Sequence, residues 1–302
     1  MFGFGAKRDA AIARRFRTRA DPDLAPGGAV RIGFVFGPCA LRRFTDRSVS
    51  VLVADGVGSQ RTQRRQFADA RAIARFLAGQ LNRSFVRAHV TARVSVGAVS
   101  RLAVDETRPR GPHPGAWLAD LCDATVLSRG AMLPLECWCA ARGVNCAFVL
   151  VDWDMTRTRL EHGDWAGFAP APATWKLHAL RFHPVAIVDL RCALTAHSFA
   201  HEFGHIVGCT HDDVPNRLDA RARGFAARGQ AMFSVMAAGR RTERGRRLEW
   251  SRSAPDRTDW PFGDAEHDEA AWLRVALPSL SRQRFACAGR CSGACAELAA
   301  RR

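Results

Sequence analysis

One short segment of the chain concentrates side chains that can bind a metal ion. It reads HEFGHIVGCTH and begins at His201. His201 and His205 are four positions apart, so on a helix they share one face and can offer two imidazole nitrogens to one ion. Gly208 can adopt the left-handed backbone that ends a helix and lets the chain turn back. Such a turn would deliver His211 as a third ligand.

The same set of ligands is also compatible with a catalytic metal site. Three protein ligands leave a fourth position on the ion for water, which is typical of catalytic rather than structural zinc sites. Zinc lowers the pKa of such a water to about 7, and the carboxylate of Glu202 lies where it can hold and shuttle the proton. This is the metalloprotease interpretation of H-E-x-x-H. The implied reaction is hydrolysis of a polarised carbonyl group.

Two other interpretations of the histidines have to be weighed. A bare H-E-x-x-H also occurs by chance on buried helices that bind no metal, but the longer frame requires a fixed glycine and a third histidine as well. His197 lies four positions before His201 and could compete as a ligand. Gly208 and His211 favour the later frame. The expected metal ligands are therefore His201, His205 and His211.

The same segment resembles the metzincin metallopeptidases, whose pattern is H-E-x-x-H-x-x-G-x-x-H followed by a methionine turn. Here the turn would be SVM at residues 234–236, and the resemblance implies that Met236 is a hydrophobic floor beneath the histidines rather than a ligand. Asp212 comes directly after the third histidine, and in this the chain resembles the adamalysin or reprolysin group of the metzincins. The resemblance implies Zn²⁺ as cofactor and Glu202 as general base, with Gly208 and Asp212 supporting the site.

Weaker matches to the same group extend along residues 30–286. DWAGFAP at 164–170 resembles the edge strand against which these enzymes lay an extended substrate. The resemblance therefore assigns substrate binding to Gly167, Phe168 and Ala169. The other matches are an opening strand at 31–41, a helix end followed by a second strand at 81–99, and a third strand at 146–153.

The chain also departs from the family's pattern. After Met236 it reads AAGRR, where these enzymes commonly carry an aromatic residue beside the substrate pocket. The chain contains no tyrosine, so the tyrosine that some metzincins use as an extra zinc ligand or oxyanion donor is missing. Stabilisation of the oxyanion would have to come from zinc itself or from the backbone.

Length and pattern favour one large mixed domain. The 302 residues are 47% hydrophobic, enough for one core or for two lobes around a cleft. We expect an α/β (α+β) fold at residues 30–286, with a mixed-sheet upper lobe, a central zinc-binding helix and a smaller lower lobe that is irregular after Asp212. A basic extension (1–29) and a cysteine-rich tail (287–302) flank it. The predicted strands are 31–36, 89–99 and 146–152, and the predicted helices are 65–82, 115–143 and 192–208.

The chain is strongly basic, with a formal net charge of +16 and a pI near 10.9. Only Lys7 and Lys176 are lysines, and arginines are spread through every segment, which a codon bias explains better than nucleic-acid binding does. The expected partner is a protein or peptide substrate, with no specific nucleic acid and no membrane span. Arginines after the methionine turn favour acidic substrate residues through charge-assisted pairing; they are Arg240, Arg241, Arg244, Arg246 and Arg247.

The ten cysteines favour disulfides if the chain reaches an oxidising compartment. Similar cysteines in secreted metzincins imply a bridge between Cys192 and Cys209, which flank the zinc segment. The N-terminal residues contain no apolar stretch of the kind that a signal peptide needs, and no later run is long enough to span a membrane. On the ground of the cysteines we expect a secreted, extracellular protein.

These observations predict a zinc-dependent endopeptidase that hydrolyses peptide bonds of protein substrates, with Glu202 as the activating base. Two alternatives from other classes are kept. The intact Glu202 argues against a catalytically silent metzincin-fold binding module. The open fourth ligand position argues against an arginine-rich nucleic-acid-binding protein with structural zinc, which a steep salt dependence of DNA binding would favour.

Overall fold

The structure, a computed structural model, shows a mixed α/β fold, in agreement with the predicted class. Residues 1–28 of the predicted basic extension (1–29) and the whole of the predicted cysteine-rich tail (287–302) lie outside the described residues. The structure describes residues 29–56, 59–103, 118, 125–128, 131–152, 166–170, 184–226, 233–237, 246–253 and 263–285.

A sheet of seven strands forms the centre of the fold, and two further strands form a separate hairpin. In chain order the strands of the described residues are β1 (Ala29–Phe36), β2 (Val49–Gly56), β3 (Ser59–Arg65), β4 (Arg93–Leu102), β5 (Thr125–Ser128), β6 (Ala131–Pro134), β7 (Cys146–Val151), β8 (Gly167–Phe168) and β9 (Val185–Asp189).

The strand order of the large sheet is β6-β5-β4-β1-β7-β9-β8, and β2 and β3 pair with each other. The strands β4, β1, β7 and β9 run parallel. Every residue of β7 and β9 is buried, which is typical of parallel strands covered on both faces. The strand β8 is antiparallel to β9 and ends the sheet.

The helices of the described residues include the one that carries the histidine motif. None of them combines the length and the apolar character needed to cross a membrane. They are α1 (Pro38–Thr45), α2 (Ala70–Arg87), α3 (Leu135–Arg142), α4 (Leu190–Thr195), α5 (Ser198–Ile206) and α6 (Glu269–Arg282).

Aromatic contacts hold α5 against the sheet. The ring of Phe199 packs against Phe34 of β1 and Phe148 of β7, with ring centroids 5.6 Å and 4.5 Å away. All three rings are buried, and removing such a ring costs about 3–5 kcal/mol. On the other face of the sheet, Trp138 of α3 covers Gly33. The helix with the histidine motif is therefore anchored to the buried centre of the sheet.

Several predicted elements are confirmed. The strands predicted at 31–36 and 146–152 are β1 and β7, and the strand predicted at 89–99 is β4, which begins at Arg93. The helix predicted at 65–82 is α2. It begins later than predicted because the Asp69 side chain caps it by accepting a hydrogen bond from the N–H of Ala72 at 2.7 Å.

Three other predictions are wrong in part. Part of the helix predicted over 115–143 is a hairpin instead, because β5 pairs with β6 and α3 starts only after Pro134. Of the predicted residues before β5, the structure describes Leu118, which is helical. The helix predicted over 192–208 is divided into α4 and α5, because His197 has a positive φ of 57°. The chain after Asp212 is irregular only as far as α6; before it the described residues form turns and isolated β-bridges.

Candidate metal centre

Two residues with positive φ bound the helix α5. His197 precedes the first residue of α5 and turns the chain after α4. Gly208 follows the last turn with a φ of 95°, which glycine adopts without a steric penalty. A β-carbon at Gly208 would also lie 2.9 Å from Cδ1 of Leu218. The helix therefore ends at this glycine, and the chain turns back with His211.

The turn brings the three predicted histidines together. Nε2 of His211 is 3.1 Å from Nε2 of His201 and 3.1 Å from Nε2 of His205, and the potential ligand atoms all lie within 4.8 Å of one another. Nitrogens that ligate a tetrahedral zinc ion at about 2.1 Å are about 3.4 Å apart. The three side chains can therefore hold one metal ion.

Hydrogen bonds at the opposite ring nitrogens orient two of these imidazoles. Nδ1–H of His201 donates to the carbonyl oxygen of Val235 at 2.7 Å, and Nδ1–H of His205 donates to that of Cys209 at 3.0 Å. Each bond selects the tautomer whose Nε2 lone pair is directed to the common point. Metal ligands are commonly oriented in this way by a backbone carbonyl.

The electrostatics favour the neutral imidazoles that bind metal ions. Burial lowers the pKa of His205 to about 3, and His211 contributes to the effect. Burial also lowers the pKa of His201 well below its ordinary value, with a further contribution from the Arg246 guanidinium. Only the unprotonated nitrogen ligates a metal, so protons compete weakly for this site.

Glu202 lies in the same helix with its carboxylate buried. Burial raises the pKa of Glu202 to about 8, whereas the Arg246 guanidinium and a hydrogen bond from the backbone N–H of Ala169 lower it. Oε2 of Glu202 is buried and has no hydrogen-bond partner among the described residues. A buried acceptor of this kind can receive a proton from a group that enters the site.

The edge strand β8 runs directly past this carboxylate. A β-carbon on Gly167 would lie 2.8 Å from Cγ and 2.9 Å from Oε1 of Glu202, so a larger residue would displace the glutamate. Phe168 pairs with Ile187 of β9. The residues predicted to bind substrate, Gly167, Phe168 and Ala169, therefore lie at the sheet edge beside the predicted base.

The SVM segment forms a tight turn beneath α5. The N–H of Ala237 donates to the carbonyl oxygen of Ser234 at 3.2 Å, and Met236 is fully buried. The Met236 sulfur fills the space that a side chain at Gly204 would need. The turn is thus in contact with the helix one residue before His205.

Asp212 lies in the loop that carries the third histidine. Its backbone carbonyl oxygen accepts a hydrogen bond from the Arg223 guanidinium at 2.5 Å. Burial lowers the pKa of His211, and the carboxylates of Asp213 and Asp212 oppose that effect. The structure therefore places Asp212 where it can support the loop and bias the charge of His211.

Three residues outside the histidine motif act on the site, and the sequence does not predict these contacts. The Arg246 guanidinium is buried and influences the metal-binding histidines and Glu202. The Trp272 indole N–H donates to the carbonyl oxygen of Val207, at the end of α5, at 2.8 Å. Gln60 accepts a hydrogen bond from Nε2–H of His197 at 3.0 Å. That bond shows His197 to be a buried structural residue outside the histidine cluster.

Two expectations about flanking residues have different outcomes. The bridge expected between Cys192 and Cys209 is absent, because Cys209 is a free, fully buried thiol. Burial raises the pKa of Cys209 well above its ordinary value, so the neutral thiol packs as a small apolar group. Of the arginines expected to favour acidic substrates, Arg246 is buried and donates to the carbonyl oxygen of Ala237 at 3.1 Å, and Arg247 is partly buried; their role in substrate binding stays a prediction. The others, Arg240, Arg241 and Arg244, lie outside the described residues.

Comparison with known proteins identifies the fold but no family. No family model matches the chain, and no curated protein matches it. One similar solved structure bears the description "Structure of a chaperone-substrate complex", with a TM-score of 0.54 and 10% sequence identity. The match covers 85% of this chain and 36% of that longer chain. At this identity the likeness concerns the fold alone.

Proposed function

We propose that this protein is a zinc-dependent endopeptidase, similar to the reprolysin-like metzincins, that hydrolyses peptide bonds of protein substrates. One observation carries the proposal. The Nε2 atoms of His201, His205 and His211 converge on one point, and the carboxylate of Glu202, in the same helix, is buried against the sheet edge at Gly167.

The donor set fits zinc better than it fits the common hard cations. Calcium and magnesium prefer oxygen ligands, whereas imidazole nitrogens suit zinc and other late transition metals. Three imidazoles leave a further coordination position for a reactant. When bound there, zinc would polarise the scissile carbonyl and lower the pKa of a coordinated water to about 7.

The side chains and backbone around the three histidines would position the other reactants. In this proposal Oε2 of Glu202 accepts a proton from the attacking water and then donates it to the leaving amine nitrogen. The N–H of Ala169 holds the carboxylate in place. The substrate binds as an extended strand along the outer edge of β8, where backbone hydrogen bonds give affinity without a fixed sequence.

The test uses the full chain loaded with zinc, together with Glu202→Gln, which keeps the shape of the side chain but cannot accept the proton. We expect one zinc per chain in both proteins, and casein or peptide-library cleavage that is about 10²–10⁴-fold slower in the variant. Glu266→Gln changes an exposed carboxylate and serves as the matched control with unchanged cleavage.

Other outcomes of this test would contradict either the peptidase activity or the metal site. Zinc binding without cleavage by either protein would contradict the peptidase proposal and favour a silent binding module. A chain that binds no zinc would contradict the metal site itself. His205→Ala, which removes one of the three ligands, should lose both zinc and cleavage.

A further inference from the structure

The side chain of Gln60 joins two separate segments that both hold His201. Its Oε1 accepts the hydrogen bond from Nε2–H of His197 at 3.0 Å, and its Nε2 donates to the backbone carbonyl oxygen of Arg246 at 3.2 Å. Gln60 lies on β3, in the hairpin that stands apart from the large sheet. A carboxamide is suited to this place because it donates and accepts at the same time.

The first of these segments is the start of α5. The backbone carbonyl oxygen of His197 accepts a hydrogen bond from the N–H of His201 at 3.1 Å, so His197 begins the helical turn that carries the first ligand. His197 also has the positive φ that separates α4 from α5. Such a conformation in a non-glycine residue is held by its surroundings, and the bond to Gln60 is one such restraint.

The second segment is the chain beside the methionine turn. The N–H of Arg247 donates to the carbonyl oxygen of Phe233 at 2.9 Å, and the N–H of Val235 donates to that of Glu249 at 2.8 Å. The carbonyl oxygen of Val235 is the acceptor for Nδ1–H of His201. Gln60 therefore restrains, through Arg246, the strand-like segment that orients the imidazole.

We propose that Gln60 is a positioning residue for the metal centre, through which the β2–β3 hairpin determines the orientation of His201. The inference rests on the metal site of the proposed function. Because the hairpin is itself paired from Val49↔Arg65 to Gly56↔Ser59, it does not need Gln60 to form. Removing a residue that orients a metal ligand, without itself binding the metal, typically lowers the metal affinity by about 10–100-fold.

The test compares Gln60→Met with wild type in the full chain. The readouts are the zinc dissociation constant, measured against a chromophoric chelator, and the visible absorption spectrum of the Co²⁺-loaded protein. We expect the dissociation constant to rise about 10–100-fold and the Co²⁺ bands to shift. Unchanged affinity with an unchanged spectrum would overturn the proposal.

The matched control is Gln80→Met. Gln80 is a buried glutamine whose side-chain N–H donates to the carbonyl oxygen of Leu52 in the same hairpin at 3.0 Å. Gln80→Met should lower the unfolding temperature of the zinc-free protein, as Gln60→Met does. Its zinc affinity and Co²⁺ spectrum should remain those of wild type. A purely structural role for Gln60 would make the two variants alike in all readouts, and this result would also overturn the proposal.

A second variant covers the case in which Gln60→Met does not fold. His197→Asn removes the other end of the same hydrogen bond and keeps a residue that tolerates positive φ. It should weaken zinc binding to a similar extent, and wild-type affinity in this variant would contradict the proposal. Both tests measure metal binding and not cleavage. If the peptidase proposal alone fails, the protein will bind zinc but cleave no substrate, and the two failures can be told apart.

Discussion

Gly204 and Met236 are in direct contact, with the thioether sulfur filling the space of the missing side chain. Gly204 is internal to α5, where glycine is a poor helix former, so its presence there has a packing reason. The absence of a side chain lets the methionine turn approach the helix closely. This approach places the carbonyl oxygen of Val235 within 2.7 Å of Nδ1 of His201.

Replacing Gly204 by alanine should therefore separate the turn from the helix. We expect Gly204→Ala to lower the free energy of unfolding by about 1–3 kcal/mol through overpacking and to weaken zinc binding. Urea denaturation and zinc titration measure the two effects. Gly79→Ala is the control, because its β-carbon would meet only Arg83 Nη1 at 3.7 Å and should stabilise α2 by about 0.5–1 kcal/mol. Equal effects of the two substitutions would contradict this explanation.

The contact between β8 and the glutamate predicts a non-additive pair of substitutions. Gly167→Ala should destabilise the chain by about 1–3 kcal/mol, because its new methyl group meets the Glu202 side chain. The same substitution in a Glu202→Ala background should cost much less, since the obstructing atoms are gone. A double-mutant cycle by urea denaturation gives the interaction energy. An additive result would show that the crowding at Gly167 has another source.

Glu269 predicts how stability depends on pH. It is fully buried, its carboxylate accepts a hydrogen bond from the N–H of Ser251 at 2.6 Å, and burial raises its pKa to about 8. This pKa lies above that of the unfolded chain, so the stability that Glu269 contributes is complete below pH about 4.5 and is lost as the pH rises through about 8. Between pH 5 and 8 the loss amounts to as much as about 4 kcal/mol.

The variant Glu269→Gln isolates this contribution, because the amide keeps an acceptor for Ser251 and does not titrate. The zinc-free variant should lose less free energy of unfolding between pH 5 and 8 than the zinc-free wild type. Denaturation at the two pH values measures the difference. If wild type and variant show the same pH dependence, burial of this carboxyl group contributes nothing to it.

Metal removal should lower thermal stability through linkage. Zinc at about 100 times its dissociation constant adds about 2.7 kcal/mol to the free energy of unfolding, which for a chain of this size corresponds to about 4 °C, at about 2.1 cal/mol/K of unfolding entropy per residue. Chelation should therefore reduce the unfolding temperature by that amount, and the shift should vanish in His205→Ala. His267→Ala, which removes a histidine paired with Asp264, should keep the full shift.

The parts of the fold that the sequence predicts are those with strong local signals. The apolar runs at 32–36 in β1 and at 146–151 in β7, and the spacing of His201, His205 and Gly208, are properties of a few neighbouring residues. They lead directly to buried strands and to a convergent histidine cluster. The edge strand at Gly167 is predicted by the resemblance alone. The close contact of Gly167 with Glu202 gives a physical reason for a glycine at this position.

The parts that the sequence does not predict depend on distant partners. The strand β3 reads SQRTQRR and is almost wholly exposed, so no alternation of apolar and polar residues marks it. The roles of Gln60 and Arg246 follow from contacts between residues 186 positions apart. The helix predicted at 115–143 is wrong at 125–134 for the same reason, because the pairing of β5 with β6 outweighs helical periodicity there.

The hydrogen bond from Trp272 to Val207 also has a consequence for the order of events during synthesis. It joins residues 65 positions apart, and a ribosome adds about 5–20 residues per second. About 3–13 s therefore separate translation of the histidine motif from that of the indole that secures the end of its helix. During this interval the nascent chain carries the histidine motif without that support.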